Sequence, residues 1–202
     1  MSTTKRFPLA RLRQLRQLRI AALLAGTLAC SAARAEDNVL RGPHPFLKDN
    51  ALSAHVLLVA GGGDTPGGAK IAADYGLRLR GPAWLDLQIN YQNARCDTGT
   101  SAGTCTVPSG TIFETLVGGK LKWATAIPLV PYAKGGVGLV YAFPDGAANG
   151  LGPALRLGAG ANYFIYDWLG FGVELSYSLG HLSSVHSSYS ELDFGAGAEF
   201  QF

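Results

Sequence analysis

His181, Leu182 and Ser183 set an imidazole and a hydroxyl two residues apart. On an extended strand, positions i and i+2 share a face, which brings a base within reach of a hydroxyl proton, as an activated serine nucleophile requires. The nearest acid, Glu191, falls on the opposite face, and Ser183, Ser184, Ser187, Ser188 and Ser190 also describe a solvated serine-rich loop around His181 and His186. A second pair, Cys96 and Cys105, has no histidine between or beside it, so its spacing lacks the ligands of a zinc site and no metal is expected. The third set is larger. Asp74, Arg78, Arg80, Asp86, Glu114, Lys120, Lys122, Lys134, Arg156, Glu174, Asp193 and Glu199 recur at even spacings inside otherwise apolar segments, with the two signs equal in number. Gly61-Gly62-Gly63 and Gly158-Ala159-Gly160 do not complete a phosphate-binding fingerprint, and nothing in the pattern calls for a cofactor.

Period-two alternation identifies the elements that must position these groups. From Leu192 to Phe202 apolar residues occupy every second place (Leu192, Phe194, Ala196, Ala198, Phe200, Phe202), with Asp193, Gly195, Gly197, Glu199 and Gln201 between them. Leu169 to Leu179 alternates in the same way against Gly170, Gly172, Glu174, Ser176 and Ser178. Eight such strands are predicted, near Leu52–Ala60, Lys70–Arg80, Leu85–Asn93, Ile112–Trp123, Tyr132–Phe143, Ala154–Phe164, Leu169–Leu179 and Glu191–Phe202. No helix or second sheet is available to cover their greasy faces. Hydrocarbon outside and polar groups inside satisfies the pattern, and only a closed barrel brings strands into a bilayer without orphaned backbone groups. The ionised set then points inward and packs as salt bridges, because the interior of an eight-stranded barrel is just wide enough for side chains to fill; a hydrated pore is the alternative. Leu57 and Val59 in the first strand stand where polar residues are expected.

Short connections (Pro82-Ala83-Trp84, Ala124 to Pro131, Tyr166-Asp167-Trp168) alternate with long ones (Gly61–Ala69, Ala94–Thr111, Pro144–Pro153, Gly180–Ser190), as the two ends of a membrane barrel do. Trp84, Trp123 and Trp168 all fall beside short turns and are expected to form one ring at the headgroup level. Tyr91, Phe113, Tyr141 and Tyr177 fall toward the long loops.

The beginning of the chain speaks for export. Lys5, Arg6, Arg11, Arg13, Arg16 and Arg19 precede an apolar run from Ile20 to Cys30, and Ser31-Ala32-Ala33-Arg34-Ala35 offers small residues for cleavage. Residues 1–35 read as a signal peptide, with an Arg-rich mitochondrial presequence and lipidation at Cys30 as rival readings. Residues 36–50, with Pro43 and Pro45, form an irregular periplasmic lead-in, and 51–202 form the barrel. The leader holds seven of the 17 basic residues and none of the 14 acids, so the processed chain is acidic, at net −4. That excludes the basic surface expected of a nucleic-acid binder. In an oxidising compartment Cys96 and Cys105 are expected to form a disulfide, worth about 2–3 kcal/mol and confined to one loop.

The terminal Phe202, preceded by alternating apolar and aromatic residues, resembles the assembly signal of bacterial outer-membrane barrels. The region from Leu52 to Phe202 as a whole resembles the small eight-stranded barrels related to the OmpA membrane domain, OmpX and OmpW. This resemblance implies a monomeric, non-enzymatic protein of the Gram-negative outer membrane, with both termini periplasmic and the long loops outside. Its implied partners are outer-membrane lipid, lipopolysaccharide and the barrel assembly machinery, and its role structural, surface-interacting or lipid- and partner-binding. A narrow passive channel is the second class. The His181-x-Ser183 pair also resembles an element of the lipid A deacylases, themselves eight-stranded barrels, but Ser184 replaces the asparagine expected after the serine.

Overall fold

Eight alternating segments with one apolar face each have a single economical solution when hydrocarbon is the outer solvent, and the chain adopts it. The computed structural model describes residues 47–61, 67–95, 109–145, 148–183 and 187–202. Its strands are β1 (Asn50–Gly61), β2 (Gly67–Arg80), β3 (Ala83–Arg95), β4 (Gly110–Lys122), β5 (Leu129–Pro144), β6 (Gly150–Tyr166), β7 (Leu169–Leu182) and β8 (Ser187–Gln201). Each pairs antiparallel with its sequence neighbour, and β1 closes on β8 to complete an up-and-down barrel. At the seam the Asn50 N–H donates to the Phe202 carbonyl and the Phe202 N–H donates back to Asn50, both at 3.0 Å. No sheet edge is left open, which removes the template for pairing with other chains.

All eight expected strands are present, and most run a few residues further than the alternation alone indicated. β5 starts at Leu129, β6 continues to Tyr166, and β8 starts at Ser187 within the segment read as a serine-rich loop. At 12 to 17 residues each, they exceed the roughly 9–11 needed for a tilted crossing. The connections at one end are short, residues 81–82, 123–128 and 167–168, and this is called the short-turn end below; the opposite end is the long-loop end. Gly81 turns the chain between β2 and β3 at a φ of 54°, a conformation that glycine enters without steric cost.

The outward face is a continuous apolar wall, including Leu58 (69% exposed), Val56, Ile71, Ile89, Val137, Leu157, Val173 and Phe194. Most inward side chains are buried, on every strand. Leu57 and Val59 are among them, so β1 keeps the common register with two apolar residues inside. Glycine makes room for this. Leu57 pairs with Gly195 and His55 with Gly197, and a Cβ on Gly195 would stand 2.9 Å from Leu57 Cδ2.

Candidate functional site

The site is the barrel interior, to which every strand contributes its inward side chains. At the short-turn end it is stopped by Leu47, Ala51, Trp84, Val130 and Phe164, all buried. Leu47 comes from the lead-in before β1 and is fixed by its carbonyl, which accepts from Arg78 Nη1 at 2.8 Å. Above this cap Lys122 meets Glu199 at 2.6 Å while its ammonium lies 4.0 Å from the Trp84 ring centre. Glu199 also accepts from Ser53, Asn162 and Gln201. Lys120 meets Asp86 at 3.1 Å and Asp74 at 3.6 Å.

The middle layer centres on Lys134, whose ammonium lies 2.8 Å from Asp74 and 2.7 Å from Glu174. Tyr132 donates to Glu174 at 3.0 Å. His55 Nε2 stands 4.0 Å from both carboxylates. His55, Asp74 and Glu174 are the residue types of a metal site, with ligand atoms within 4.8 Å of one another. A bound zinc would hold such atoms about 2.0–2.2 Å from itself, and here the lysine ammonium already occupies the point between the two carboxylate oxygens. This set is a salt-bridge cluster.

Toward the long-loop end Arg156 reaches Asp193 at 2.9 Å and both Glu114 and Glu174 at 3.5 Å. Lys70 reaches Glu191 at 2.6 Å, Asp193 at 3.2 Å and Glu114 at 3.6 Å. The Tyr189 hydroxyl bonds Glu191 at 2.9 Å and also Glu114. A second apolar cluster then fills the interior: Ala94, Ile112, Leu116, Val140, Ala142, Ala154, Leu182 and the ring of Tyr189. Among the described residues the charges are thus packed with apolar clusters toward both ends of the barrel. Buried ions cost several kcal/mol each unless paired and hydrogen-bonded, and here each of the seven carboxylates has a cation within 4 Å.

Several sequence expectations need correction. Trp84 is not at the membrane interface: it is 2% exposed and faces inward, because even positions of β3 share the side of Asp86 and Gln88. Trp168 is exposed at the short-turn end, stacked on Tyr166 and Phe200, and Trp123 is partly exposed beyond the end of β4. Arg78 and Arg80 lie outside the ion network. They sit where β2 runs out, Arg78 partly exposed and bonded to the Gly81 and Leu47 carbonyls, Arg80 exposed. The signs do not balance either. Among the described residues five buried cations (Lys70, Lys120, Lys122, Lys134, Arg156) face seven buried carboxylates (Asp74, Asp86, Glu114, Glu174, Glu191, Asp193, Glu199). Lys70, His55, Tyr132 and Tyr189 are members that sequence reasoning missed; Lys70 shares the parity of Asp74 and was passed over at a strand edge.

His181 and Ser183 both point outward and are exposed. The Ser183 hydroxyl donates to the Leu151 carbonyl at 2.7 Å, and Glu191 is fully buried on the other side of the wall. No described acid stands with the pair, so the three residues of a hydrolytic triad are not brought together. Phe202 is exposed at the seam. Cys96, Cys105 and residues 1–46 lie outside the described residues.

No protein-family model and no curated protein matches the chain. Among solved structures, Neisserial surface protein A superposes with a TM-score of 0.59 at 12% identity, over 76% of this chain and 97% of its own. The fold is that of a small eight-stranded outer-membrane barrel. Further outer-membrane barrels align over the same 76% of the chain. They include the N-terminal barrel domain of Pseudomonas aeruginosa OprF (14% identity, all of that chain, TM-score 0.46) and the attachment invasion locus protein Ail of Yersinia pestis (15%, all of that chain, 0.44).

Proposed function

We propose that the chain is an integral outer-membrane protein whose barrel conducts no solute and catalyses no reaction, and whose work is done on its surface by the outer wall and the long loops. One observation supports this reading: among the described residues the ionised groups are buried and paired with one another, with apolar clusters packed beside them toward both ends of the barrel. Ions bonded to each other and roofed by Leu182, Ile112 and Tyr189 make a rigid filling for a cylinder. The leader-like residues 1–35 support export, and the distribution of short and long connections supports periplasmic termini with external loops. Within the second long loop a Cys96–Cys105 disulfide would stiffen the displayed surface.

Planar-bilayer recording of the refolded full chain tests the proposal. The expected trace is flat at ±100 mV under conditions where a general porin gives steps. Reproducible unitary conductance would establish the channel reading in its place.

A further inference from the structure

We infer that the outer wall over β4–β7 holds one acyl chain of an outer-leaflet lipopolysaccharide, with the lipid phosphate at His181. The inference rests on the membrane reading above. It starts from a shallow, open depression of about 650 Å³ on the lipid-facing surface. Val117, Val137, Leu139, Pro153, Leu155 and Leu179 line it, and His181 supplies its single ionisable group. The trough has a local cause. Pro153 pairs across from Leu139 and offers only a short ring where the neighbouring outward positions carry Leu151 and Leu155.

A second observation concerns where the hydrocarbon contact ends. At the long-loop ends of β3, β7 and β8 the outward residues turn polar: Asn93 and Arg95, His181 and Ser183, Ser188 and Ser190. At the same end of β5 and β6 they stay apolar, with Phe143 48% and Leu151 46% exposed. Above the groove, therefore, the apolar wall continues toward the loops, while His181 stands at its flank in the polar border. A chain that enters from that side lies in the leaflet facing the long loops, which in the proposed orientation is the lipopolysaccharide leaflet. His181 can donate to a phosphate oxygen at the border while the groove takes the chain. The occupant is held without being cleaved, since the Ser183 hydroxyl is engaged by the Leu151 carbonyl.

The test is native mass spectrometry of refolded full-length protein in detergent, supplied with bis-phosphorylated lipid A, dephosphorylated lipid A or phosphatidylethanolamine. Heat-modifiable gel migration is measured first on every sample. The wild type is expected to retain one lipid A. Leu155→Trp, which fills the groove, should lower retention by about tenfold, the scale of one lost apolar contact set. His181→Ala should weaken retention of phosphorylated lipid A and leave the dephosphorylated form unaffected. Ile89→Trp, on the wall of β3, serves as the control and should behave as wild type. Equal retention by all four proteins, or equal retention of phosphatidylethanolamine, overturns the site while leaving the barrel standing. Absence of heat-modifiable migration in the wild type overturns the membrane reading and the site together.

Discussion

Lys122 offers the sharpest test of the internal network, because Glu199 has no other described cation within 4 Å. Both side chains are 1% exposed. Lys122→Met keeps the apolar stem against Trp84 and deletes the ammonium. Glu199 is then left with neutral donors only: Ser53 at 3.3 Å, Asn162 at 3.0 Å and Gln201 at 2.5 Å. Stranding one member of a buried pair costs about 3–5 kcal/mol. The upper part of that range applies, since the cation–π contact with Trp84, about 1–2 kcal/mol at a desolvated site, is lost at the same time. The double variant Lys122→Met/Glu199→Gln removes the stranded charge, leaves an amide oxygen that can accept from Ser53 and Asn162, and should regain at least about 2 kcal/mol as an interaction energy. Urea unfolding of the barrel in phosphatidylcholine vesicles, followed by tryptophan fluorescence, gives these values. The pairing argument fails if Lys122→Met costs less than about 1 kcal/mol, or if the double variant is as unstable as the sum of the two single variants.

Two further outcomes follow from the orientation of the faces. Val56→Arg places a cation on the outward wall, where Val56 is 64% exposed; it should cost about 2–4 kcal/mol in the same assay, and a neutral effect would show that this face does not meet hydrocarbon. In a protein whose only tryptophan is Trp84, made by Trp123→Phe and Trp168→Phe, brominated lipids should leave the emission nearly unquenched. Trp84→Ala should destabilise by about 3–5 kcal/mol through the cavity it leaves, and strong quenching would return Trp84 to the interface.

The strands were legible because two different solvents act on the two faces of one sheet, and alternation records that directly. β7 and β8 show it without a break. The ion network was legible in outline for the same reason, through Asp74, Lys120, Lys134, Arg156 and Glu174. Parity fails at the strand ends, and nearness to a turn does not override it within a strand. Trp84 was placed by its nearness to a turn, although its position shares the face of Asp86. Arg78 and Arg80 were placed by parity past the point where β2 still has an enclosed interior. β1 carries Leu57 and Val59 inside, where bulk on one strand fills the space that Gly195 leaves on its partner, and a single-strand pattern holds no trace of that exchange. The two apolar clusters were invisible for a related reason. Each is assembled from one or two residues per strand, such as Ala94, Ile112, Val140 and Leu182, and none of these stands out until the cylinder closes.

Burial also sets the interior ions apart from the surrounding electrolyte: the side chains of Lys134, Asp74 and Glu174 are no more than 1% exposed. Dissolved sodium and chloride screen exposed charges over about 8 Å at physiological strength, and buried pairs much less. Moving from dilute buffer to brine should leave the mutual attraction of Lys134, Asp74 and Glu174 nearly unchanged.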